Sequence, residues 1–352
     1  MIRVLVVDDS AYMRYVLRNN LEIDPEIKVV DTARDGIDAL AKIATLKPDV
    51  VTLDLEMPRM DGFTALKRIM ADCPVPVIIV SSLTQEGADA TIRALRLGAV
   101  DFVPKPIEGI LDIRSVREEL SSKIKHVCGV SVSRLKILSS IPTTKWNKVG
   151  SGYRECHQVV VIGTSTGGPR ALHEVMSHIP ASLPAGVLIV QHMPPGFTRS
   201  LSMRLDEISP LRVKEAEEGD IVQAGQALVA PGGYHMAIAT TREIELSHGP
   251  PEHGVRPAVD VTMEAAARVY GPATIGVILT GMGRDGTRGA GLIRRAGGWV
   301  IAEDESTCVV YGMPRCAKEA GVVDKVVPLD QVAGEVAAVA ERKQFTHSAT
   351  RL

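Results

Sequence analysis

Short runs of valine, isoleucine and leucine alternate with helix-length segments through most of this sequence. In the first part of the chain the apolar runs are VLVV, KVVDTA, VVTLD, VPVIIVSS and VDFVPKP. Strands of a parallel sheet are buried on both faces, so they appear in a sequence as nearly continuous apolar runs. The alternation therefore predicts a doubly wound α/β domain, in which helices cover both faces of a parallel sheet.

The alternation is interrupted near the middle of the chain by the segment SSIPTTKWNKVGSGYRECH, whose composition is typical of a linker. Apolar runs then resume as VVVIG, GVLIVQH, ALVAPGG, TIGVILTG, WVIAED and DKVVPL, and HMAIATTREIELSH predicts a hairpin. A chain of 352 residues is long enough for two domains. We expect two doubly wound parallel-sheet domains, at residues 1–125 and 157–342, with a linker at 126–156 and a tail at 343–352.

Composition argues against several classes of protein. The net charge of −2 and an aromatic content of only 3% do not favour nucleic-acid binding. The five cysteines are scattered, which favours reduced thiols over a disulfide or zinc framework. The apolar run in MIRVLVVDDS is too short for a signal peptide, and no apolar stretch reaches the roughly 18 residues of a membrane-spanning helix. We therefore expect a cytoplasmic protein with no direct membrane insertion.

Charged and polar side chains follow four of the predicted strands in the first domain. They are Asp8 and Asp9 after the first strand, Asp54 after the third, Ser81 at the end of the fourth and Lys105 after the fifth. Carboxyl ends of parallel strands share one edge of the sheet, so these groups are expected to converge. Clustered carboxylates repel one another unless a cation such as Mg²⁺ is present. The pattern predicts a Mg²⁺ site at which an aspartate can accept a phosphoryl group.

Each aspartate alone has a simpler interpretation, because Asp8 and Asp9 could cap the following helix and Asp54 could begin a turn. The motifs VVDDS, TLDLEMPRMDG, VSS and FVPKP favour the phosphoacceptor site jointly. Together they resemble the receiver domain of response regulators over about residues 1–120, which implies a flavodoxin-like fold. The roles that this resemblance implies are phosphorylation of Asp54, binding of Mg²⁺ by Asp8, Asp9, Asp54 and the carbonyl of Glu56, phosphate sensing by Ser81 and Lys105, and an aromatic switch at Phe102.

The first strand of the second domain leads into the glycine-rich turn GTSTGG, at residues 163–168. Such a turn before a helix either binds phosphate or presents a nucleophilic serine. A dinucleotide-binding turn needs G-x-G-x-x-G and a Walker A loop needs Gly-Lys-Ser/Thr, and this turn has neither. It does match G-x-S-x-G, which makes Ser165 the candidate nucleophile.

A nucleophilic serine needs a base and a group that orients the base. His192 follows the next strand, in QHMPPGF, and Asp285 follows another apolar strand, in LTGMGRDG. Both are therefore expected at the same edge of the sheet as Ser165. We predict a catalytic triad of Ser165, His192 and Asp285, with the backbone N–H of Met282 as an oxyanion donor.

Other interpretations of the second domain stay open. Ser165 alone would be interpreted as a helix cap and Asp285 as part of a turn. His235 in APGGYHM and His253 in HGPPEHGVRP are alternative bases. A DNA-binding output domain is a rival function, although a long α/β domain without a basic recognition helix does not fit a helix-turn-helix module. A scaffold that binds its partner without turnover would need no triad.

Six motifs of the second domain, GTSTGGPRAL, QHMPPGF, APGGYHM, RPAVDV, LTGMGRDG and VVYGMPR, resemble the catalytic domain of the chemotaxis protein-glutamate methylesterases, the CheB family. The resemblance implies a Rossmann-like serine esterase domain without a cofactor, in which Ser165, His192 and Asp285 are catalytic. It implies hydrolysis of glutamate γ-methyl esters and deamidation of glutamines. The implied partners are the cytoplasmic helices of a methylated chemoreceptor, which would recruit the protein to the membrane, and a chemotaxis histidine kinase as phosphodonor.

Overall fold

The computed structural model describes residues 1–105, 113–130 and 156–349, with side chains described as far as residue 342. The chain divides into two compact units, Met1–Ile141 and Pro142–Leu352. Most of the predicted linker at 126–156, and the side chains of the predicted tail at 343–352, lie outside the described residues. No helix in the described part of the chain is both long and apolar enough to cross a membrane.

The first unit alternates strands and helices along the chain. Its elements are β1 (Ile2–Val7), α1 (Ala11–Leu21), β2 (Ile27–Ala33), α2 (Gly36–Leu46), β3 (Val50–Leu53), α3 (Gly62–Asp72), β4 (Val77–Ser81), α4 (Gln85–Arg96), β5 (Asp101–Pro104) and α5 (Ile113–Val127). The five strands form one parallel sheet in the order β2-β1-β3-β4-β5. The predicted doubly wound fold of this unit is confirmed.

Side chains that precede the helices explain where several of them begin. The Ser10 hydroxyl accepts a hydrogen bond from the N–H of Met13 at the start of α1, and Asp61 caps α3 in the same way. Such caps satisfy N–H groups that the first helical turn leaves without intrahelical partners. Because Ser10 is the cap of α1, the interpretation of Asp8 or Asp9 as that cap is wrong.

The second unit has nine strands and six α-helices among the described residues. The strands are β6 (Val159–Thr164), β7 (Gly186–Gln191), β8 (Arg212–Glu215), β9 (Gln226–Val229), β10 (His235–Ile238), β11 (Ile244–Ser247), β12 (Thr274–Ile278), β13 (Trp299–Glu303) and β14 (Lys325–Val327). The helices are α6 (Gly168–His178), α7 (Phe197–Ile208), α8 (Val259–Tyr270), α9 (Thr287–Arg295), α10 (Met313–Glu319) and α11 (Leu329–Ala349), and a 3₁₀ turn spans Gly271–Ala273.

Seven of these strands form a sheet in the order β14-β13-β12-β6-β7-β9-β8, with every neighbouring pair parallel. The antiparallel pair β10 and β11 is the predicted hairpin. A second doubly wound parallel-sheet unit is therefore confirmed. β8, with the sequence RVKE, is not among the predicted strands, because only Val213 of its four residues is buried. Short, charged edge strands of this kind discourage pairing between sheets.

Three adjacent strands in the middle of this sheet, β12, β6 and β7, position the candidate site. Every residue of the three strands is buried. Within β6, Gly163 lies so close to α8 that a Cβ atom at this position would be 2.3 Å from Cγ1 of Val259. The strands before Ser165 and His192 are neighbours, because β6 pairs with β7. The loops after β7 and β12 therefore flank the loop after β6.

Candidate functional site

Ser165 is the first residue after β6, in a turn made tight by the glycines that follow. Gly167 has a φ of +79°, a conformation that favours glycine. Gly168 begins α6 and donates its N–H to the Ser165 carbonyl at 2.8 Å. Thr164 and Thr166 on either side are buried, whereas Ser165 is partly exposed. The turn thus presents a single serine at the start of a helix.

The Ser165 turn is fixed to the end of β12 through Thr280. The Thr280 carbonyl accepts hydrogen bonds from the Ser165 N–H at 3.1 Å and the Thr164 hydroxyl at 2.9 Å. The Thr280 hydroxyl donates to the Thr166 carbonyl at 3.0 Å, and the Thr280 N–H donates to the carboxyl group of Glu303 at 2.8 Å. These four hydrogen bonds join the Ser165 turn, the loop after β12 and the end of β13 to one another.

His192 follows β7 and reaches across to the loop after β12. Its Nε2 lies 2.8 Å from Oδ2 of Asp285, and its side chain is 11% exposed. No described residue forms a hydrogen bond with Nδ1 of His192, and none joins the Ser165 hydroxyl to this ring. Hydrogen bonds between catalytic groups often tighten only when substrate binds. The structure therefore brings the histidine and aspartate of the predicted triad into contact and leaves Nδ1 available for a proton.

Asp285 is buried at the N-terminus of α8. Its carboxylate accepts hydrogen bonds from the backbone N–H groups of Val259 at 2.7 Å, Asp260 at 2.9 Å and Gly286 at 2.9 Å. Burial raises the pKa of Asp285, but the hydrogen bond and charge of His192 and these backbone donors outweigh it, so the pKa is lowered. The group therefore stays ionised and can hold the imidazole of His192 in one orientation.

The backbone that leads to Met282, whose N–H is the predicted oxyanion donor, lies beside Ser165. A Cβ atom on Gly281 would be 2.8 Å from the Ser165 Cβ, so the backbone before Met282 is in close contact with the serine. The Gly281 carbonyl accepts the N–H groups of Gly312 and Met313, at 3.1 and 2.9 Å, which fixes this loop. The Met282 N–H donates to no described residue. It can therefore serve an oxyanion that forms near the serine.

The two alternative bases have other partners. Nε2 of His235, a buried residue of β10, lies 2.9 Å from the carbonyl of Pro250. Nε2 of His253 lies 2.9 Å from Oδ2 of Asp260 and 3.9 Å from Oδ1 of Asp285. A second histidine–carboxylate pair thus lies next to the first. Among the described histidines, only His192 makes a hydrogen bond to Asp285.

In the first unit, Asp8, Asp54 and Lys105 meet at the edge of the sheet. Lys105 Nζ lies 2.7 Å from Oδ2 of Asp54 and 3.1 Å from Oδ2 of Asp8. Burial lowers the pKa of Lys105, but the hydrogen bond and charge of Asp54 and the charge of Asp8 raise it overall. Burial also raises the pKa of Asp8, although Lys105 opposes that shift. One ammonium therefore bridges two buried carboxylates and offsets only part of their charge.

This acidic pocket has the donor set of a Mg²⁺ site. Oxygen atoms of Asp8, Asp9 and Asp54 all lie within 4.8 Å of one another. Apart from the Lys105 ammonium, the buried Oδ2 of Asp8 has no hydrogen-bonding neighbour among the described residues. The N–H of Glu56 donates to Oδ1 of Asp54 at 3.3 Å, which brings the Glu56 backbone next to the same carboxylate. Carboxylate and carbonyl oxygens in this arrangement suit a hard cation.

The remaining predicted receiver residues lie on β4 and β5. The Ser81 hydroxyl donates to the Gly87 carbonyl at 3.0 Å, and the Ser81 carbonyl accepts the Lys105 N–H at 2.7 Å. Phe102 is buried, and the Lys123 ammonium lies 5.2 Å from its ring centroid. Phe102 thus occupies the buried one of the two positions that an aromatic switch requires.

Known protein families match both units. The CheB methylesterase family matches residues 160–336, and the response regulator receiver domain matches residues 4–113. The chain belongs to the CheB methylesterase family. The resemblance predicted from the sequence motifs is therefore confirmed for both halves of the chain.

Individual members of this family are similar over almost their full length. A protein-glutamate methylesterase/protein-glutamine glutaminase of Symbiobacterium thermophilum is 55% identical, over 95% of this chain and 96% of its own. A protein of the same description from Pyrococcus abyssi is 50% identical, over 94% of this chain and 91% of its own. The crystal structure of the Thermotoga maritima CheB methylesterase catalytic domain covers 51% of this chain and 97% of its own, with 48% identity and a TM-score of 0.50.

Two residues of this CheB-family site are absent from the sequence prediction. Gln191 is buried, and its amide donates to the carbonyls of Ser165 and His192, at 3.0 and 3.2 Å, so it joins the serine turn to the histidine. Glu303 is fully buried beneath Thr280, and burial raises its pKa to about 7. Both are the last residues of apolar strands. A polar residue ending a buried strand needs a polar partner, which is the signal that could have identified them.

Proposed function

We propose that the second unit hydrolyses glutamate γ-methyl esters in a protein substrate and deamidates glutamine side chains, with Ser165 as nucleophile, His192 as base and Asp285 as orienting acid. Relatives described as protein-glutamate methylesterase/protein-glutamine glutaminase support the reaction class. The observation that carries the proposal is the 2.8 Å contact between His192 Nε2 and Asp285 Oδ2, beside a fixed serine turn. An ester and a primary amide both react at a carbonyl carbon and differ in the leaving group, so one triad can act on both.

In the first half of the proposed reaction, the Ser165 oxygen attacks the carbonyl carbon and its proton moves to Nδ1 of His192. Asp285 accepts the Nε2–H bond and stabilises the imidazolium. The N–H of Met282 stabilises the oxyanion of the tetrahedral intermediate. When the intermediate collapses, the carbon–oxygen bond to the methoxy group breaks, and His192 returns the proton so that methanol leaves. Ammonia leaves instead from a glutamine.

In the second half, water attacks the acyl-enzyme. His192 accepts a proton from this water and then donates it to Ser165 as the ester bond to the serine breaks. The product is a glutamate side chain, and the free enzyme is restored. The hydrogen bonds from Gln191 to the carbonyls of Ser165 and His192 keep the backbones of the two catalytic residues at a fixed separation through both halves of the reaction.

We further propose that phosphorylation of Asp54 in the receiver unit regulates this activity. The carboxylate oxygen of Asp54 would take the phosphoryl group from a phosphohistidine, whose nitrogen–phosphorus bond breaks. Ser81 and Lys105, already at this edge of the sheet, would contact the phosphoryl oxygens. Movement of Phe102 from its buried position would carry the change to the rest of the chain.

Mg²⁺ fits the acidic pocket because a buried oxygen of Asp8 lacks a partner other than Lys105. The carboxylates of Asp8, Asp9 and Asp54 and the carbonyl of Glu56 would hold the ion. When bound, Mg²⁺ neutralises charge on the phosphoryl group during its transfer.

The partners that suit these two sites are a methylated protein and a phosphodonor kinase. We propose that the methylated partner is the cytoplasmic helical part of a chemoreceptor and that the donor is a chemotaxis histidine kinase. The enzyme would then work in the cytoplasm and be recruited to the membrane by its receptor. These assignments rest on family membership and on the presence of a receiver unit.

The test of this function is methanol release from a chemoreceptor carrying isotope-labelled methyl esters. The intact chain should release labelled methanol, and a small phosphodonor with Mg²⁺ should increase the rate. Asp54→Asn should keep the basal rate and lose the increase, because no acyl phosphate can form. Binding of the receptor with no methanol release from the intact chain would instead favour the scaffold that binds without turnover.

A further inference from the structure

Four helices of the second unit share an unusual first turn. α6, α7, α9 and α10 each follow a strand of the parallel sheet, so they begin at the edge that holds Ser165. None of the four has an acidic residue in its first turn. Each has an arginine among its first three residues, and these are Arg170, Arg199, Arg288 and Arg315. The positive end of the helix dipole favours anions there, so the sequence places cations where helix stability opposes them.

These arginines differ in whether their charge is already neutralised. Arg288 forms ion pairs with Glu252 at 2.6 Å, Glu264 at 3.7 Å and Asp260 at 3.8 Å. Arg170 is only partly exposed. Arg199 and Arg315 are exposed and form no ion pair within the described residues, and the same holds for Arg284 in the loop after β12. Three exposed cations therefore remain at this edge.

Each of the three exposed arginines belongs to a segment that contacts the catalytic residues. Arg284 immediately precedes Asp285 in the loop that contains Met282. Arg199 lies in the first turn of α7, directly after the loop that begins at His192. Arg315 lies in α10, whose first residue donates its N–H to the Gly281 carbonyl at 2.9 Å. The three therefore lie in three different segments that follow strands β7, β12 and β13 at this edge of the sheet.

We infer that Arg199, Arg284 and Arg315 form a docking surface for an acidic segment of the protein substrate, in which unesterified glutamates lie near the glutamyl ester. This inference rests on the proposed function and extends it from the reacting group to its surroundings. Arginine binds carboxylates through paired N–H groups, which gives orientation as well as attraction. The whole chain has a net charge of −2, so the cationic edge is a local feature rather than a general one.

An exposed apolar side chain adds to this surface. Met203 lies one helical turn after Arg199 on α7, and it is 47% exposed. Side chains four residues apart share one face of a helix. A partner with acidic and apolar side chains side by side, as on an amphipathic helix, would match both residues. Electrostatic attraction of this kind acts mainly on the encounter of enzyme and substrate.

The chain offers a matched control for this surface. Arg212, Arg268 and Arg295 are also exposed and form no ion pair within the described residues, but they lie at the opposite edge of the sheet. Replacing either set of three by glutamine removes the same charge. The experiment compares R199Q/R284Q/R315Q with R212Q/R268Q/R295Q on a methylated chemoreceptor and on a small uncharged glutamyl methyl ester, at low and at high salt.

The docking variant should lose at least about tenfold in kcat/KM on the receptor at low salt, mostly through KM, and its rate should depend less on salt than that of the natural chain. The loss on the small ester should be at least fivefold smaller than the loss on the receptor. Equal kinetics of the two triple variants on the receptor would overturn the docking surface while leaving the methylesterase function intact. Equal losses on both substrates would also overturn it. No methanol release by the natural chain from either substrate would instead reject the proposed function.

Discussion

The acidic pocket of the first unit and the Ser165 site of the second occupy equivalent places, because both lie where parallel strands end. Their buried carboxylates differ in the donors that stabilise them and in the direction in which their pKa values are shifted. Asp285 accepts four N–H donors, three of them from the backbone, and its pKa is lowered. Asp8 accepts one backbone N–H and shares a single ammonium with Asp54, and its pKa is raised.

The difference shows that the same architecture can hold a carboxylate with several fixed donors, as at Asp285, or leave it dependent on one movable side chain, as at Asp8. Helix α8 brings its free N–H groups to Asp285, so the carboxylate is stabilised before any substrate arrives. Among the described residues, Asp8 and Asp54 each accept one backbone N–H, and the acidic pocket is balanced by Lys105, a side chain that an incoming cation or phosphoryl group can displace or engage. A preorganised site favours chemistry, and an incompletely satisfied one favours a switch.

The largest expected effect is on the rate of methanol release at the Ser165 site. Ser165→Ala and His192→Ala should each lower initial methanol release by about four orders of magnitude or more, because the members of a triad act as a unit. The fold should persist, since the fixed backbone of the turn does not depend on the serine hydroxyl. Ser306→Ala, at an exposed serine, serves as the control. A rate within tenfold of the natural chain in either variant would rule out the triad.

Asp285→Asn should slow methanol release by about 10³ to 10⁴, because an amide nitrogen would face backbone N–H donors and the imidazole would lose its orientation. His253→Gln, in the neighbouring histidine–carboxylate pair, should change the rate far less. Measuring both variants on one substrate separates the two histidines. If His253→Gln were the more damaging change, the adjacent pair would contain the base.

A third buried carboxyl sharpens the comparison. Glu303 accepts a single backbone N–H, and burial raises its pKa from 4.5 to about 7. As pH rises between these values, the unfolded chain releases the proton while the folded chain keeps it. The free energy of unfolding therefore falls, on the order of 3 kcal/mol in total, and the loss is complete above the folded pKa.

Glu303→Gln keeps the acceptor for Thr280 and removes this titration. Urea unfolding at pH 5 and pH 8 should show that the variant loses less stability than the natural chain between the two values. Glu319→Gln, at an exposed residue, should lose as much as the natural chain. Identical pH dependence in all three proteins would mean that Glu303 does not retain its proton in the folded state.

The smallest expected effect is on the affinity of the acidic pocket for Mg²⁺. Lys105→Met removes the ammonium that competes with Mg²⁺ for Asp8 and Asp54, so Mg²⁺ affinity should rise about tenfold by the loss of that charge. A Mg²⁺ titration followed by thermal unfolding measures the change, with Lys67→Met at an exposed lysine as the control. Unchanged or weaker binding in the Lys105 variant would show that the lysine supports the ion instead of replacing it.

The sequence predicted much of this arrangement, because apolar runs locate parallel strands and parallel strands locate their common edge. Ser165, His192 and Asp285 were accessible to that reasoning, since each lies in the loop that follows a predicted strand. The sequence could not predict which imidazole nitrogen contacts Asp285, because that depends on side-chain rotamers fixed by packing. The position of Gln191 at the end of a buried strand indicates that it needs a polar partner, but which partners it has could not be predicted, since they are backbone carbonyls without a recognisable pattern.

The backbone donors to Asp285 have a consequence for motion. The carboxylate that orients His192 also caps α8, since it accepts the N–H groups of Val259 and Asp260. Fraying of that helix end and loss of the oriented imidazole are therefore one event. Hydrogen–deuterium exchange at these two amides therefore measures how often the contact between Asp285 and His192 is lost, and any protection gained when substrate binds reports how far binding suppresses that opening.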